Sequence, residues 1–260
     1  MEILHFPTET FRIFLLVLLR VSTFLFLFPF FGSPVVPMRV KAATSMILAF
    51  ALMPVATDAN LLFPESAGSL AITAGAEIIM GTILGLSTRI FFAAVQLAGQ
   101  IISFQMGFSM ISIMDPQSGS PMTIMSQIGY LTAMILFLSF GGHHVILGAL
   151  ADSFTLVSTG GITLSSDLWK TMSSLTLSMF TLGIRMAAPC MAALFFTTCA
   201  FGMCARFVPQ MNVLVLAFPV KIAVGLALFG LTLTAIHLMV GRFTAGYTQQ
   251  LTHLMQMLGR

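Results

Sequence analysis

The chain consists of six long apolar runs separated by short stretches that are more polar. A helix needs about 20 apolar residues to cross a membrane, and most of these runs reach or exceed that length. The pattern therefore predicts membrane-spanning helices. They cover roughly residues 11–31, 42–57, 69–113, 122–151, 171–201 and 211–241, followed by a tail at 242–260.

The third run is too long for one span, and Arg89 lies near its middle. Two interpretations are open: two separate spans, or one long helix with a break. The run ends at the polar stretch MDPQSGSP, residues 114–121, in which Asp115 and Pro116 can begin a tight turn. A turn inside lipid is costly unless it lines a cavity or packs against protein. An ordinary connecting loop and a functional segment are both compatible with this pattern.

The composition supports the membrane assignment. Hydrophobic residues make up 58% of the chain, charged residues 7%, and the mean hydropathy is +1.02. Soluble domains carry about 25% charged residues, so this chain cannot form a water-facing surface. The runs are also too continuous for the alternating strands of a membrane barrel. We therefore expect an all-α polytopic membrane protein with long, kinked helices in a single domain, 1–260.

Six of the ionisable residues inside the apolar runs are candidates for a role, because a charge there is costly and often functional. A transporter would use them as ion sites, whereas their scatter along the chain favours pairing between helices or extension to the membrane interface. We expect Glu77 to pair with a cation from another helix. The six residues are Arg20, Glu77, Arg89, Arg185, Lys221 and His237.

The loop charges predict the topology. Arg39 and Lys41 in the first loop are basic, and Asp58 and Glu65 in the second are acidic. Basic loops stay in the cytoplasm, which predicts a periplasmic N-terminus and a cytoplasmic C-terminus. The tail carries apolar residues at helical spacing, which fits a helix on the membrane surface or one docked on a partner. These tail residues are Phe243, Tyr247, Leu251, Leu254 and Leu258.

The sequence contains no recognisable enzyme motif. His143 and His144 are adjacent, so on a helix they point about 100° apart and cannot share a metal on one face. The net charge is only +3, without a basic cluster typical of nucleic-acid binding. We therefore expect a non-enzymatic protein with no cofactor, no metal and no nucleic-acid partner. Gly81 and Gly85 form a GxxxG pair, which allows close packing of helices.

The stretch PQMNVLVLAFPVKIAVGL, residues 209–226, combines an apolar helix with polar groups at its start. The amides of Gln210 and Asn212 fall in the first turn, and Pro219 should interrupt the helix. A kinked helix with a polar start suits contact with protein better than contact with lipid. The predicted subunit-contact residues are Pro209, Gln210, Asn212, Phe218, Pro219 and Lys221.

Four motifs, in the same order along the chain, resemble the FliR family of flagellar export proteins and its SctT counterpart in virulence secretion. They are FPFFGSPVVPMRVKAA at 28–43, AGQIISFQMGFSMISIMDPQSGS at 98–120, LFLSFGGHHVILGALADSF at 136–154, and ARFVPQMNVLVLAFPVKIAVGL at 205–226. The resemblance covers nearly the whole chain.

The resemblance implies a subunit of the flagellar type III export gate in the bacterial inner membrane, at the flagellar basal body. The implied partners are FliP-like and FliQ-like subunits that form a helical cone with this chain, and an FlhB-like subunit at the cytoplasmic entrance. Membrane lipid and unfolded flagellar proteins in transit complete the set of partners. It also implies a FliP-like portion at about 1–200 and a FliQ-like portion at about 201–260.

The resemblance further implies that the loop matching residues 107–122 plugs the export channel, with methionine side chains that seal around a moving chain. The implied gating residues are Met106, Gly107, Phe108, Met110, Met114, Asp115, Pro116, Gln117, Ser118, Gly119 and Met122. The alternative function is a small-solute transporter or channel, for which a polar cluster at the membrane midplane or inverted repeats would be expected.

Overall fold

The computed structural model describes residues 8–33, 35–57, 66–108, 123–157, 160–161, 166–207 and 213–258. Within these ranges the chain is helical, with turns and no strand, which confirms the all-α prediction. There are seven helices in the described part of the chain. They are α1 (Thr8–Leu27), α2 (Met38–Thr57), α3 (Ala67–Met106), α4 (Ile124–Ser139), α5 (Gly142–Leu156), α6 (Ser166–Phe207) and α7 (Val213–Leu258).

Five of the described helices are long and apolar enough to cross a membrane, or six spans result if the bent pair α4 and α5 counts as one. Helix α3 continues through Arg89 without a break, which answers the question that its length raised. Arginine is a good helix former, and the Arg89 side chain is exposed, so nothing in the backbone requires an interruption there.

The fourth predicted span is wrong as a single helix. The helix ends at Ser139, with Phe140 as its C-cap, and Gly141 adopts a left-handed conformation with φ +71° before the next helix begins. This conformation favours glycine, which has no Cβ to clash with the backbone. The N–H of Phe140 still donates to the carbonyl of Leu136 at 2.9 Å, so α4 ends cleanly before the bend.

Helix α7 continues through Pro219 and through the tail to Leu258, so the expected interruption and the separate surface helix are both wrong. The tail side chains Tyr247, Leu251, Leu254 and Leu258 are buried within the chain itself. The ring of Phe243 stacks on Phe91 of α3 with centroids 4.0 Å apart. The apolar face of the tail therefore packs internally instead of on lipid or on a partner.

The chain divides into two compact units. The first comprises Met1–Ile90, Gly141–Leu175 and Thr244–Arg260. Its core contains Val21 of α1, Met80 of α3, Leu150 of α5 and the buried side chains of the tail. The second comprises Phe91–Phe140 and Thr176–Phe243, and its core includes Phe92 stacked edge-on against Phe137 at 5.5 Å. The proposed division near residue 200 falls within α6 and stays a prediction.

Candidate functional site

Glu77 lies in a fully buried ion pair with Arg20, which is on α1 and 57 positions earlier in the chain. The contact is bidentate: Nε of Arg20 donates to Oε2 at 2.5 Å, and Nη2 donates to Oε1 at 3.0 Å. Both side chains have no exposed surface. Two charges without access to water need this pairing and further hydrogen bonds, since an isolated buried charge is very costly.

The remaining hydrogen-bonding groups of this pair are also satisfied. Arg20 Nη1 donates to the carbonyl of Ser153 at 2.8 Å, and the guanidinium lies 4.3 Å above the ring of Phe154. The backbone N–H of Gly160 donates to Oε1 of Glu77 at 3.1 Å. The network ties α1, α3, α5 and the turn after α5 together, and all its charge is neutralised inside the chain. The pair therefore has a structural role in holding these elements together.

The C-terminal end of α3 carries the first three of the predicted gating residues. Gly107 has φ +89°, its N–H donates to the carbonyl of Phe104 at 3.1 Å, and the N–H of Phe108 donates to that of Ser103 at 3.0 Å. These two bonds form a Schellman motif, which satisfies carbonyls at a helix end and favours glycine at the left-handed position. The motif stops α3 just before residue 109.

Helix α7 packs on this end of α3. A Cβ at Gly107 would lie 2.8 Å from the Phe218 ring, and a Cβ at Gly225 would lie 2.5 Å from Cγ of Met106. Phe218 and Gly225 are seven positions apart and so share one face of α7. Met106 has no exposed surface, and the thiol of Cys190 on α6 lies 3.9 Å from the carbonyl of Gly225. Met106 is therefore enclosed where α3, α6 and α7 meet.

The start of α4 packs on α3 at Gln96 and Gly99, about two turns before the end of that helix. Ser126 Oγ donates to the carbonyl of Gln96 at 3.0 Å, and a Cβ at Gly99 would lie 2.6 Å from the backbone N of Ser126. The side chain of Thr123 caps α4 by accepting from the N–H of Ser126. The N-terminal end of α4 thus packs on α3 about two turns before the Schellman motif that ends that helix.

The structure brings Met106, Gly107 and Phe218 together, and the sequence did not indicate Gly225, which receives the Met106 side chain. A glycine seven residues after Phe218 in an apolar helix is the signal that could have identified it. Pro219 is exposed and Lys221 is half-buried. The other predicted site residues lie outside the described residues: Met110, Met114, Asp115, Pro116, Gln117, Ser118, Gly119, Met122, Pro209, Gln210 and Asn212.

Among the described residues, no group of three or more His, Cys, Asp or Glu side chains is arranged to hold a metal ion. His143 and His144 are ring neighbours with centroids 4.1 Å apart. The contacts described above are those of packed helices and a buried ion pair within the chain.

Comparison with known proteins defines the family. A family model described as bacterial export proteins, family 1, matches residues 11–246. The flagellar biosynthetic protein FliR of Bacillus subtilis is 31% identical over 259 residues, which is 96% of this chain and 97% of that protein. The chain belongs to the FliR family of bacterial export proteins.

Other FliR proteins match over most of their length. The flagellar biosynthetic protein FliR of Escherichia coli is 32% identical over 212 residues, 81% of this chain and 80% of that protein. The FliR protein of Aquifex aeolicus is 28% identical over 236 residues, 88% of each chain. The end of α3, the start of α4 and the part of α7 from Phe218 to Gly225 that packs on α3 lie within residues 11–246, the region that the export-protein family model matches.

Proposed function

We propose that the chain is a non-enzymatic subunit of the flagellar type III protein export gate, which lines and closes a channel for unfolded flagellar proteins. The family membership supports a role in flagellar protein export, because the relatives are named flagellar biosynthetic proteins. The finer assignment to a gate and channel rests on the helix ends that flank segment 109–122, which are the end of α3 at Gly107 and the start of α4 at Thr123.

One observation carries the gating role. The residues that flank segment 109–122 lie at capped helix ends: the Schellman motif at Gly107 ends α3, and the side chain of Thr123 caps α4. The segment itself contains Asp115, Pro116 and Gly119, which are poor helix formers, and the polar Gln117. A polar segment anchored in this way can be displaced without unfolding its base. We propose that it plugs the channel and that Met106, Met110, Met114 and Met122 provide adaptable apolar contacts around it.

We further propose FliP-like, FliQ-like and FlhB-like subunits as partners, with Pro209, Gln210, Asn212, Phe218, Pro219 and Lys221 in or beside the subunit contacts. The large uncovered surface of α6 and α7 supports this. Within the span Trp169–Phe207, 17% of an 18-residue apolar stretch is buried in the chain, and within Val215–Gln256 22% of such a stretch, against 61% within Gly68–Met106. We place the N-terminus in the periplasm and the C-terminus in the cytoplasm of the inner membrane, at the flagellar basal body.

The test compares two activities. In cells that lack the native chain, restoring it should restore secretion of flagellar subunits into the medium, while a Gly107→Ala variant should secrete less because the left-handed end of α3 and its Phe218 contact are strained. Gly148→Ala, where a Cβ meets open space, is the matched control and should secrete normally. Stable purification of the chain alone, with uptake of a small solute into liposomes, would instead support the transporter alternative.

A further inference from the structure

Arg185 on α6 is an exposed cation in the middle of an apolar helix. No charged residue lies between Lys170 and Arg185, or between Arg185 and Arg206. At 1.5 Å per residue these neighbours are about 22 Å and 32 Å away along the helix axis. Among the described residues Arg185 has no ion pair, since the salt bridge there joins Arg20 and Glu77. Its charge is therefore uncompensated within the part of the chain that the structure describes.

The packing of α6 on α7 limits where the bilayer can lie. Only five residues join the two helices, so the contact between Cys190 and Gly225 means that α7 runs back along α6. In this register Lys221 is level with about residue 194 of α6. Arg185 and Lys221 are thus about 14 Å apart along the axis, whereas the hydrocarbon layer is about 30 Å thick. The hydrocarbon layer therefore cannot be placed so that Arg185 lies at one of its edges and Lys221 at the other.

A second polar group accompanies the guanidinium. Pro189 lies inside α6 and has no N–H, so it withdraws the donor that would normally reach the carbonyl of Arg185 four residues earlier. The cation and this carbonyl therefore occur at one level of an apolar helix. An exposed position that needs both an acceptor and a donor is poorly served by lipid tails.

The side chains on the same face allow close approach of another helix. Thr181, Ala188 and Ala192 are exposed, small, and spaced by four, seven and eleven positions, close to whole turns of the helix. Small residues let helix backbones approach closely in membranes. Large apolar side chains border this face, as at Ile184, which is 50% exposed. The shape suits a helix with one polar side chain more than a lipid headgroup.

We propose that Arg185 is the docking point for a membrane-embedded helix of a partner subunit, and that this helix supplies an Asp or Glu carboxylate to the guanidinium. The same chemistry already exists within the chain, where a carboxylate from a neighbouring helix neutralises Arg20. This inference rests on the proposed function only in taking the partner to be a subunit of the same export assembly.

The experiment uses the full chain produced together with the FliP-like and FliQ-like subunits, with subunits per chain measured by native mass spectrometry after affinity purification. Arg185→Leu should recover about tenfold less partner, because it leaves the partner's carboxylate buried and unpaired. Arg185→Lys keeps the charge and should recover most of the partner. Arg206→Leu, at an exposed position in the last turn of the same helix, is the matched control and should equal the unaltered chain.

Two further measurements separate the explanations. The Arg185→Leu chain produced alone should show unchanged membrane levels and thermal stability, because the Arg185 side chain has no ion pair among the described residues. Lost assembly would then not come from misfolding. Suppressors that restore assembly to Arg185→Leu should replace an Asp or Glu in a membrane helix of one partner with a neutral residue.

Several results would overturn the proposal. Full partner recovery with Arg185→Leu would do so. Loss of co-purified anionic phospholipid with partners retained would assign Arg185 to a lipid phosphate. If Asp115→Asn lowered partner recovery as much as Arg185→Leu, and the variant with both changes recovered no less than either one, the carboxylate that pairs with Arg185 would come from this chain. A last outcome is that the unaltered chain recovers no partner, although the Arg185→Leu chain produced alone has normal membrane levels and thermal stability. That result would refute the proposed assembly itself, and this inference with it.

Discussion

The Arg20–Glu77 pair shows how a single charged position in an apolar segment is stabilised. Sequence indicated that Glu77 needs a cation, but three other cations in apolar runs, Arg89, Arg185 and Lys221, were equally available. Only the packing of α1 on α3 selects Arg20. Removing one partner of a buried pair leaves an uncompensated charge, which costs about 3–5 kcal/mol, although replacing both with apolar residues is often neutral.

Glu77→Ala should therefore lower the free energy of unfolding by about 3–5 kcal/mol, because the buried guanidinium of Arg20 loses its carboxylate. The double variant Arg20→Met with Glu77→Leu should recover most of this loss. The measurement is the temperature at which detergent-extracted protein loses its monodisperse elution peak. Arg12→Gln, at an exposed position of α1, is the control and should melt like the unaltered chain. Normal melting of Glu77→Ala would mean that the pair is dispensable.

At the scale of the helix, Gly81 and Gly85 explain how α1 and α3 come close enough to form this pair. A Cβ at Gly81 would overlap the carbonyl oxygen of Arg20 and the Thr23 hydroxyl, and one at Gly85 would lie 2.6 Å from Cβ of Leu27. Without a hydrophobic force between helices in lipid, such close packing is what holds them together.

Gly81→Ala should destabilise the protein by about 1–3 kcal/mol, because the backbone of α1 cannot move away without loosening its other contacts. Gly75→Ala on the same helix is the matched control, since a Cβ there meets nothing within 4 Å. That control should be neutral or stabilising by up to about 1 kcal/mol through higher helix propensity. Equal melting temperatures for the two variants would contradict the packing explanation.

Sequence periodicity predicted the helices better than their ends and breaks. Apolar runs identified every described span, because composition and length decide what can cross a membrane. The break at Gly141 escaped detection, since a glycine pair in an apolar run is compatible with both a continuous helix and a bend. The tail was misassigned because an amphipathic pattern shows that one face is covered but not by what. For α3, the single residue Arg89 does not distinguish two separate spans from one long helix.

At the scale of the whole molecule, two kinds of polar group carry different roles. Arg20 and Glu77 are neutralised inside the first unit, whereas Arg185 in the second is left for a partner. The apolar surfaces of α6 and α7 that remain uncovered fit a chain that completes its burial in an assembly. The polar start of the last helix predicted the subunit contacts at Gln210 and Asn212, and the family resemblance implied the plug at residues 107–122. Gln210, Asn212 and residues 109–122 fall outside the described residues, so both stay predictions.

The most direct test of the gate is the ion conductance of membranes that contain the assembly with residues 110–120 deleted from this chain. Because α3 and α4 are anchored at Gly107 and Thr123, the deletion should leave assembly yield unchanged while the membrane becomes permeable to ions. A scrambled 110–120 sequence of equal length serves as the control for loop length. Full assembly with conductance equal to that of the intact gate would contradict the plug role.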